Sequence, residues 1–185
     1  MRENDMTRTL PFWRDTPLTD AEERLLELVH AAHVASCGRH NISRDLFEAG
    51  AFGSSRYVNG LIAALASLGG AHGPIEETVA LLQMPGREMT LIPLKMKVPG
   101  WGNSFEKGRK DPLWLAVDAH LEAFFPAQFR RLEDITRQLH AAGKTIYPNP
   151  SAYTASAAMI VGLPARASAY LFVRARLDGW TQLYL

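Results

Sequence analysis

The segment over residues 55–68, SRYVNGLIAALASL, constrains this chain most. Wound as a helix it is small or apolar on nearly every side, so it has no face that belongs in water. Its Ala and Gly positions allow neighbouring helix backbones to come close. A chain of 185 residues is long enough for one well-buried core and short for two. Burying such a helix all round inside so small a monomer is difficult, which predicts a helical interface between two copies.

The remaining segments read as helices separated by Gly and Pro. Thr19 opens the first with a capping-box pattern, its hydroxyl capping the backbone while Glu22 reaches back from three residues on. Leu25, Leu26, Val29, Ala32 and His33 follow at helical spacing to about Ser36, and Gly38 ends the segment. A short helix is expected over Ser43–Ala49, ahead of the Gly53-Ser54-Ser55 break. Gly69-Gly70 closes segment 55–68, and Pro74 opens a helix that ends near Gln83. Residues 84–111 are rich in Pro and Gly and read as loops, within which Leu91–Val98 fits a short strand or a short helix equally. Further helices are expected over about 112–124 and 127–142, separated by Pro126, then over about 152–161, and from Pro164 towards Trp180. Residues 1–16 read as an extended arm. With no internal repeat or low-complexity linker, the expectation is a single all-α domain over 1–185.

Composition excludes several classes of function. With 47% hydrophobic and 21% charged residues, bulk disorder is excluded. A net charge of +1 leaves no broad field to attract nucleic acid or an anionic membrane. Cys37 is the only cysteine, so neither an intrachain disulfide nor a thiolate metal cluster can form. No stretch approaches the roughly 20 apolar residues of a membrane span. The first residues, Met1-Arg2-Glu3-Asn4-Asp5, carry charge where a signal peptide needs an apolar run. A cytoplasmic protein is expected.

Among candidate site residues, His72 stands first. In Leu68-Gly69-Gly70-Ala71-His72-Gly73-Pro74 an imidazole lies at the amino end of a helix, where the positive end of the macrodipole disfavours its charged form. A neutral histidine there can donate a hydrogen bond to a substrate oxygen as charge develops on it. The other reading is a histidine that helps to cap the helix beside a tight turn. His30 and His33, three apart on the first helix, have no third metal ligand at a suitable spacing, which favours a helix surface or interface. His120 and His140, near helix ends, read as solvent-facing. Arg130, Arg131 and Arg137 alternate with Glu133 and Asp134, the pattern of a solvated face laced with ion pairs. Lys95, Lys97, Lys107, Arg109 and Lys110 gather around the loop region, as a phosphate or CoA site or as a mobile basic loop. Trp101 and Phe105 beside them either stack on a purine or anchor the loop.

The order of these segments carries a resemblance. A glycine-flanked histidine precedes a helix, and Val98-Pro99-Gly100-Trp101-Gly102-Asn103 follows. Next come Lys107, Asp111-Pro112, Pro148-Asn149 ahead of Tyr153, and finally Phe172, Arg176 and Gly179-Trp180. From about Gly53 to Trp180 this resembles the citrate synthase family, which includes the related citryl-CoA lyases, and would cover the carboxy-terminal half of an ordinary member. The resemblance implies an all-α, shortened citrate synthase-like fold, a homodimer, and an acyl-CoA or small carboxylate as ligand, with no cofactor required and no metal.

Carried over residue by residue, the resemblance is incomplete. His72 matches the family histidine that polarises the thioester carbonyl. The second catalytic histidine, in a P-G-F-G-H-type motif, falls on Asn103, and the arginine usually after it falls on Ser104. The aspartate base, in a P-N-V-D-F-Y-type motif, falls on Ser151. A further histidine falls near Cys37 or Gly38, with His40 close but out of register. Arg176 matches the arginine that holds a substrate carboxylate, and Lys107, with Arg109 beside it, looks like the family's basic CoA-binding region. The sequence also stops before the later tail that supplies an arginine across the family's dimer interface. Ser151 cannot act as a base near pH 7, and Asn103 can donate a hydrogen bond but cannot deliver a proton. The expectation is therefore a citrate synthase-like protein with a degraded site. It would either bind an acyl-CoA or carry out altered carbon–carbon bond chemistry of acyltransferase or citryl-CoA lyase type. The alternative is a non-catalytic structural or regulatory dimer.

Overall fold

A computed structural model describes residues 14, 16–39, 42–53, 57–66, 74–84, 97–103 and 105–184. Among them are eight α-helices: α1 Asp20–Ser36, α2 Ile42–Gly53, α3 Tyr57–Ala66, α4 Ile75–Gln83, α5 Leu115–Phe124, α6 Pro126–Ala141, α7 Pro150–Ile160 and α8 Ala165–Tyr184. A single 3-10 turn, Pro112–Trp114, leads into α5, and the described residues contain no strand beyond an isolated bridge. Most of the expected arm, together with His40, His72, Lys95, Ser104 and nearly all of Leu91–Val98, lies outside the described residues.

The capping box of α1 is present in full. The backbone N–H of Glu22 donates to Thr19 Oγ1 (3.3 Å), and the Thr19 N–H donates to Glu22 Oε2 (2.7 Å). From this start α1 lays Leu25, Leu26 and Val29 into a core shared with Ile75, Val79 and Leu82 of α4, Leu121 of α5, and Leu132 and Ile135 of α6.

At the centre of that core runs α7, buried along every residue from Ser151 to Ala158 and in contact with α1, α4, α6 and α8. Its side chains there are mostly Ala, Ser and Thr, so the helix is thin enough to be surrounded. The role expected of segment 55–68, a helix buried all round, thus belongs to α7. The shorter α3 buries only Gly60 and Ala64, and leaves Val58 60% and Ile62 61% exposed. The physical reason is its hairpin with α2, which covers one face alone. A Cβ at Gly60 would lie 2.6 Å from Ala51 Cβ and 2.7 Å from the Phe47 carbonyl oxygen, so the two backbones touch where only glycine fits. Phe47, Ala51 and Ala64 form a second small core with Cys37 and Trp180.

Several polar residues depart from expectation. His33 is fully buried rather than at a surface. His120 and His140 are half-buried, each hydrogen-bonded to a backbone carbonyl, of Ala21 (2.8 Å) and Ile146 (3.0 Å). Arg131 turns away from the expected ion-pair face. It donates instead to the carbonyls of Leu82 (2.9 Å), Leu81 (3.2 Å) and Met84, closing the carboxy end of α4. The exposed Arg137–Asp134 pair (3.1 Å) does follow the expected pattern.

Candidate functional site

Two turns far apart in sequence are tied together and create the site's frame. Gly100 has φ +81°, and a Cβ there would lie 2.5 Å from Thr78 Cγ2, so glycine suits both the backbone and the space. The strand-like stretch beyond it pairs with Tyr147–Asn149. The Gly102 N–H donates to the Tyr147 carbonyl (2.9 Å), and the Asn149 N–H donates to the Gly100 carbonyl (2.8 Å). The Asn149 side chain then serves both sides: Nδ2 donates to the Gly102 carbonyl (3.0 Å), and Oδ1 accepts from the Ser151 N–H (2.9 Å), capping α7. Trp101 is buried and its Nε1–H donates to Thr136 Oγ1 (3.0 Å), so it anchors the loop and is not free to stack on a purine. This frame sets Asn103 and Ser151 on either side of one short backbone pairing.

Asn103 is engaged at both ends of its amide. Oδ1 accepts from the Phe105 N–H (2.8 Å), while Nδ2 donates to Asp111 Oδ2 (2.9 Å), leaving one amide proton for a ligand. Asp111 also caps the 3-10 turn, accepting from the Leu113 N–H (3.1 Å), and takes a two-pronged pair from Arg39 at 2.6 and 2.9 Å. Beside this group opens a cleft of about 210 Å³. Its lining includes Asn103, Glu106, Lys107, Arg109, Asp111 and Tyr147. Three of the six expected site residues are therefore brought together. Arg109 is paired with Glu106 (2.6 Å), whereas Lys107 is exposed and has no carboxylate partner among the described residues. Lys110 leaves the basic group altogether. Its Nζ sits between Asp118 (2.9 Å) and Glu133 (2.8 Å), above the Phe129 ring. Burial works against its charge, but the hydrogen bonds to Glu133 and Asp118 prevail and raise its pKa.

Ser151, in the first turn of α7, is 4% exposed. Arg176 is not part of the cleft. It projects from α8 over the Phe172 ring, 5.1 Å from its centroid, with Nη1 3.4 Å from Cys37 Sγ and no carboxylate partner among the described residues. Burial pushes the Cys37 thiol pKa up, against the influence of Arg176.

Sequence reasoning passed over Thr154 and Arg39, and gave His33 no buried partner. The Thr154 hydroxyl donates to the Pro150 carbonyl (2.8 Å), so at 2.7 Å from His33 Nε2 it accepts, which assigns the neutral Nε2–H tautomer. The His33 ring meets Trp114 and Phe172 edge-on, with centroids 4.9 and 4.8 Å away. Burial, then the charge of Arg176, then His30 hold its pKa well below the ordinary value. Its helical spacing with Leu25, Leu26 and Val29 was the signal for burial. Nothing local pointed to Arg39, whose partner is 72 residues away.

Among the described residues of this frame, Asn103 and Ser151 have no side chain that titrates near pH 7; Asn103 supplies a hydrogen-bond donor and Lys107 a cation. Among the described residues no group of three or more His, Cys, Asp or Glu is placed to hold a metal ion. None of their helices is long and apolar enough to cross a membrane.

No protein-family model matches the sequence, and no curated protein matches it either. Solved structures do. The citryl-CoA lyase from Hydrogenobacter thermophilus superposes with a TM-score of 0.70 at 19% identity, over 96% of this chain and 74% of its own. The citrate synthase from Thermotoga maritima gives 0.75 at 24%, over 89% of this chain and 48% of its own. The citrate synthase from Thermoplasma acidophilum, in ternary complex with carboxymethyl coenzyme A and oxaloacetate, gives 0.70 at 21%, over 92% and 49%. The chain thus spans about half the length of these two synthases. What the three likenesses establish together is the architecture: this chain has the all-helical, citrate synthase-like fold.

Proposed function

We propose that this chain binds an acyl-CoA without forming citrate. The observation that carries the reading is the cleft in which Asn103, Lys107 and Arg109 converge, with the Lys107 ammonium unpaired among the described residues. A phosphate of CoA suits that cation, and the spare Asn103 amide proton suits an oxygen acceptor. By resemblance, His72 would meet the thioester carbonyl and Arg176 a carboxylate. The catalytic half of the reading is negative, because Ser151 and Asn103 stand where the family's base and second histidine would be. A positioned acid or base contributes typically 10²–10⁴-fold, so losing both removes ordinary turnover.

The test is calorimetric titration of CoA and acetyl-CoA into the whole chain, beside thiol release from acetyl-CoA with oxaloacetate. Binding without release is expected, with affinity up to about five-fold weaker in Lys107→Ala, the loss of one exposed charge contact. No binding heat at millimolar ligand refutes the first half; robust thiol release refutes the second.

A second reading, a non-catalytic structural or regulatory dimer, has its own support. Leu46, Phe52, Val58 and Ile62 of the α2–α3 hairpin are 37–61% exposed, an apolar surface suited to a second copy of the chain.

A further inference from the structure

We infer that Arg39 is a positioning residue for the cleft, holding the loop of residues 103–111 in place through Asp111. Arg39 belongs to a different part of the chain, three residues beyond the end of α1, where its own N–H donates to the Ser36 carbonyl (3.2 Å). Its guanidinium reaches both oxygens of Asp111, at 2.6 and 2.9 Å, and the Asp111 side chain is only 2% exposed. The same guanidinium lies over the Phe105 ring, 5.4 Å from the centroid. One side chain thus touches the loop near its start, at Phe105, and at its end, at Asp111.

Asp111 completes the closure by accepting from Asn103 Nδ2 (2.9 Å) and from the Leu113 N–H (3.1 Å). Four donors meet two carboxylate oxygens, which uses the hydrogen-bonding capacity of the group. Lys107 and Arg109 sit on the arc whose two ends are pinned this way. Their exposed heads have no such anchorage: among the described residues, the one carboxylate partner on the arc itself is Glu106, for Arg109. A planar guanidinium is needed for the two-pronged pair; an ammonium supplies one charge but not that geometry. The position of the arc that carries the cleft's cations is therefore set from the segment that follows α1, by a residue that does not itself line the cleft.

The value of this device for ligand binding rests on the acyl-CoA reading; the device itself does not. The test therefore has two readouts, taken on the full chain for Arg39→Lys, Arg39→Met and Asp111→Asn. The first is amide hydrogen exchange without ligand. Exchange at residues 105–110 should rise at least about tenfold in Arg39→Lys, while α7 amides keep their protection. The second is CoA affinity by calorimetry, expected to fall several-fold in Arg39→Lys although the net charge is unchanged. A merely structural contribution would instead raise exchange evenly across the core. Folded Arg39→Lys and Asp111→Asn proteins with unchanged exchange at 105–110 overturn the inference, whatever CoA does. If wild-type chain fails to bind CoA yet the local exchange effect appears, the acyl-CoA reading falls and the positioning role of Arg39 stands.

Discussion

Lowering the pH from 7.5 to 5.5 should weaken the fold through His33 by up to about 1.4 kcal/mol. The ring is 0% exposed, donates from Nε2 to Thr154, and faces Trp114, Phe172 and the charge of Arg176, so burial and that charge keep it neutral. In the unfolded chain it titrates at its ordinary value of 6.5. The folded pKa is depressed, so below 6.5 the unfolded state binds the extra proton and gains stability relative to the fold. The stabilisation is complete above 6.5 and is lost as pH falls towards the folded pKa. One pH unit below 6.5 the loss reaches at most RT ln 11, about 1.4 kcal/mol, the limit for a ring that stays neutral in the fold, against less than about 0.1 kcal/mol one unit above. His30 also has a lowered pKa, from burial opposed by Asp178, and adds to the trend with the same sign. The assay isolates His33 by comparison: urea unfolding at both pH values for wild type and His33→Gln, which keeps a donor for Thr154. The variant should be less stable at pH 7.5 but lose less on acidification, by up to about 1.4 kcal/mol. Equal pH dependence in the two proteins would refute the buried, neutral assignment.

Two further outcomes follow from packing. If α3 meets a second copy, burying the exposed part of Val58 and Ile62 contributes about 1–2 kcal/mol each, so a Val58→Glu, Ile62→Glu double variant should sediment as monomer with unchanged helix content. A wild-type monomer at micromolar concentration, or a dimer that survives both substitutions, contradicts this. Arg131→Met should cost about 1–2 kcal/mol in chemical denaturation, because three carbonyls at the end of α4 lose a charged donor. An unchanged midpoint would show that solvent replaces the cap without loss.

What was legible in the sequence was local. Thr19 and Glu22 are three residues apart, so the capping box and the start of α1 could be read directly. Asn103, Lys107 and Arg109 are neighbours, and the cleft that unites them is a local arc. The 55–68 and 150–160 segments were harder, because both are rich in small residues and composition alone does not say how many helices surround each. Only the fold shows α7 among several helices and α3 against α2 with one open face. That distinction also selects the interface probe: Ala64 is fully buried inside its own chain, so Val58 and Ile62 are the residues that report on a partner. His33 was placed correctly on the apolar stripe by spacing, yet its residue type suggested a surface. Its partner Thr154 is 121 positions away, beyond the reach of any local pattern.

Under the proposed function, what separates this chain from a citrate-forming enzyme would lie in side chains rather than in the scaffold. Ser151 occupies the first turn of α7, where Asn149 caps the helix and Pro150 contributes no N–H. The unpaired N–H groups and dipole of such a helix start favour a carboxylate in its charged form. Burial of position 151 acts in the opposite sense, raising a carboxyl pKa and with it the strength of the base. An aspartate there would thus be held between two opposing influences, the setting in which a general base is tuned, but a serine draws on neither. The situation at Asn103 differs. Its amide completes the ring of donors around Asp111, whose charge Arg39 already balances, so replacing it disturbs the anchorage of the arc that ends at Asp111. Under the proposed correspondence, Ser151→Asp would therefore leave the lining of the cleft untouched, whereas Asn103→His would alter it. Position 103 in this chain carries a side chain that helps to hold the cleft's arc to Asp111.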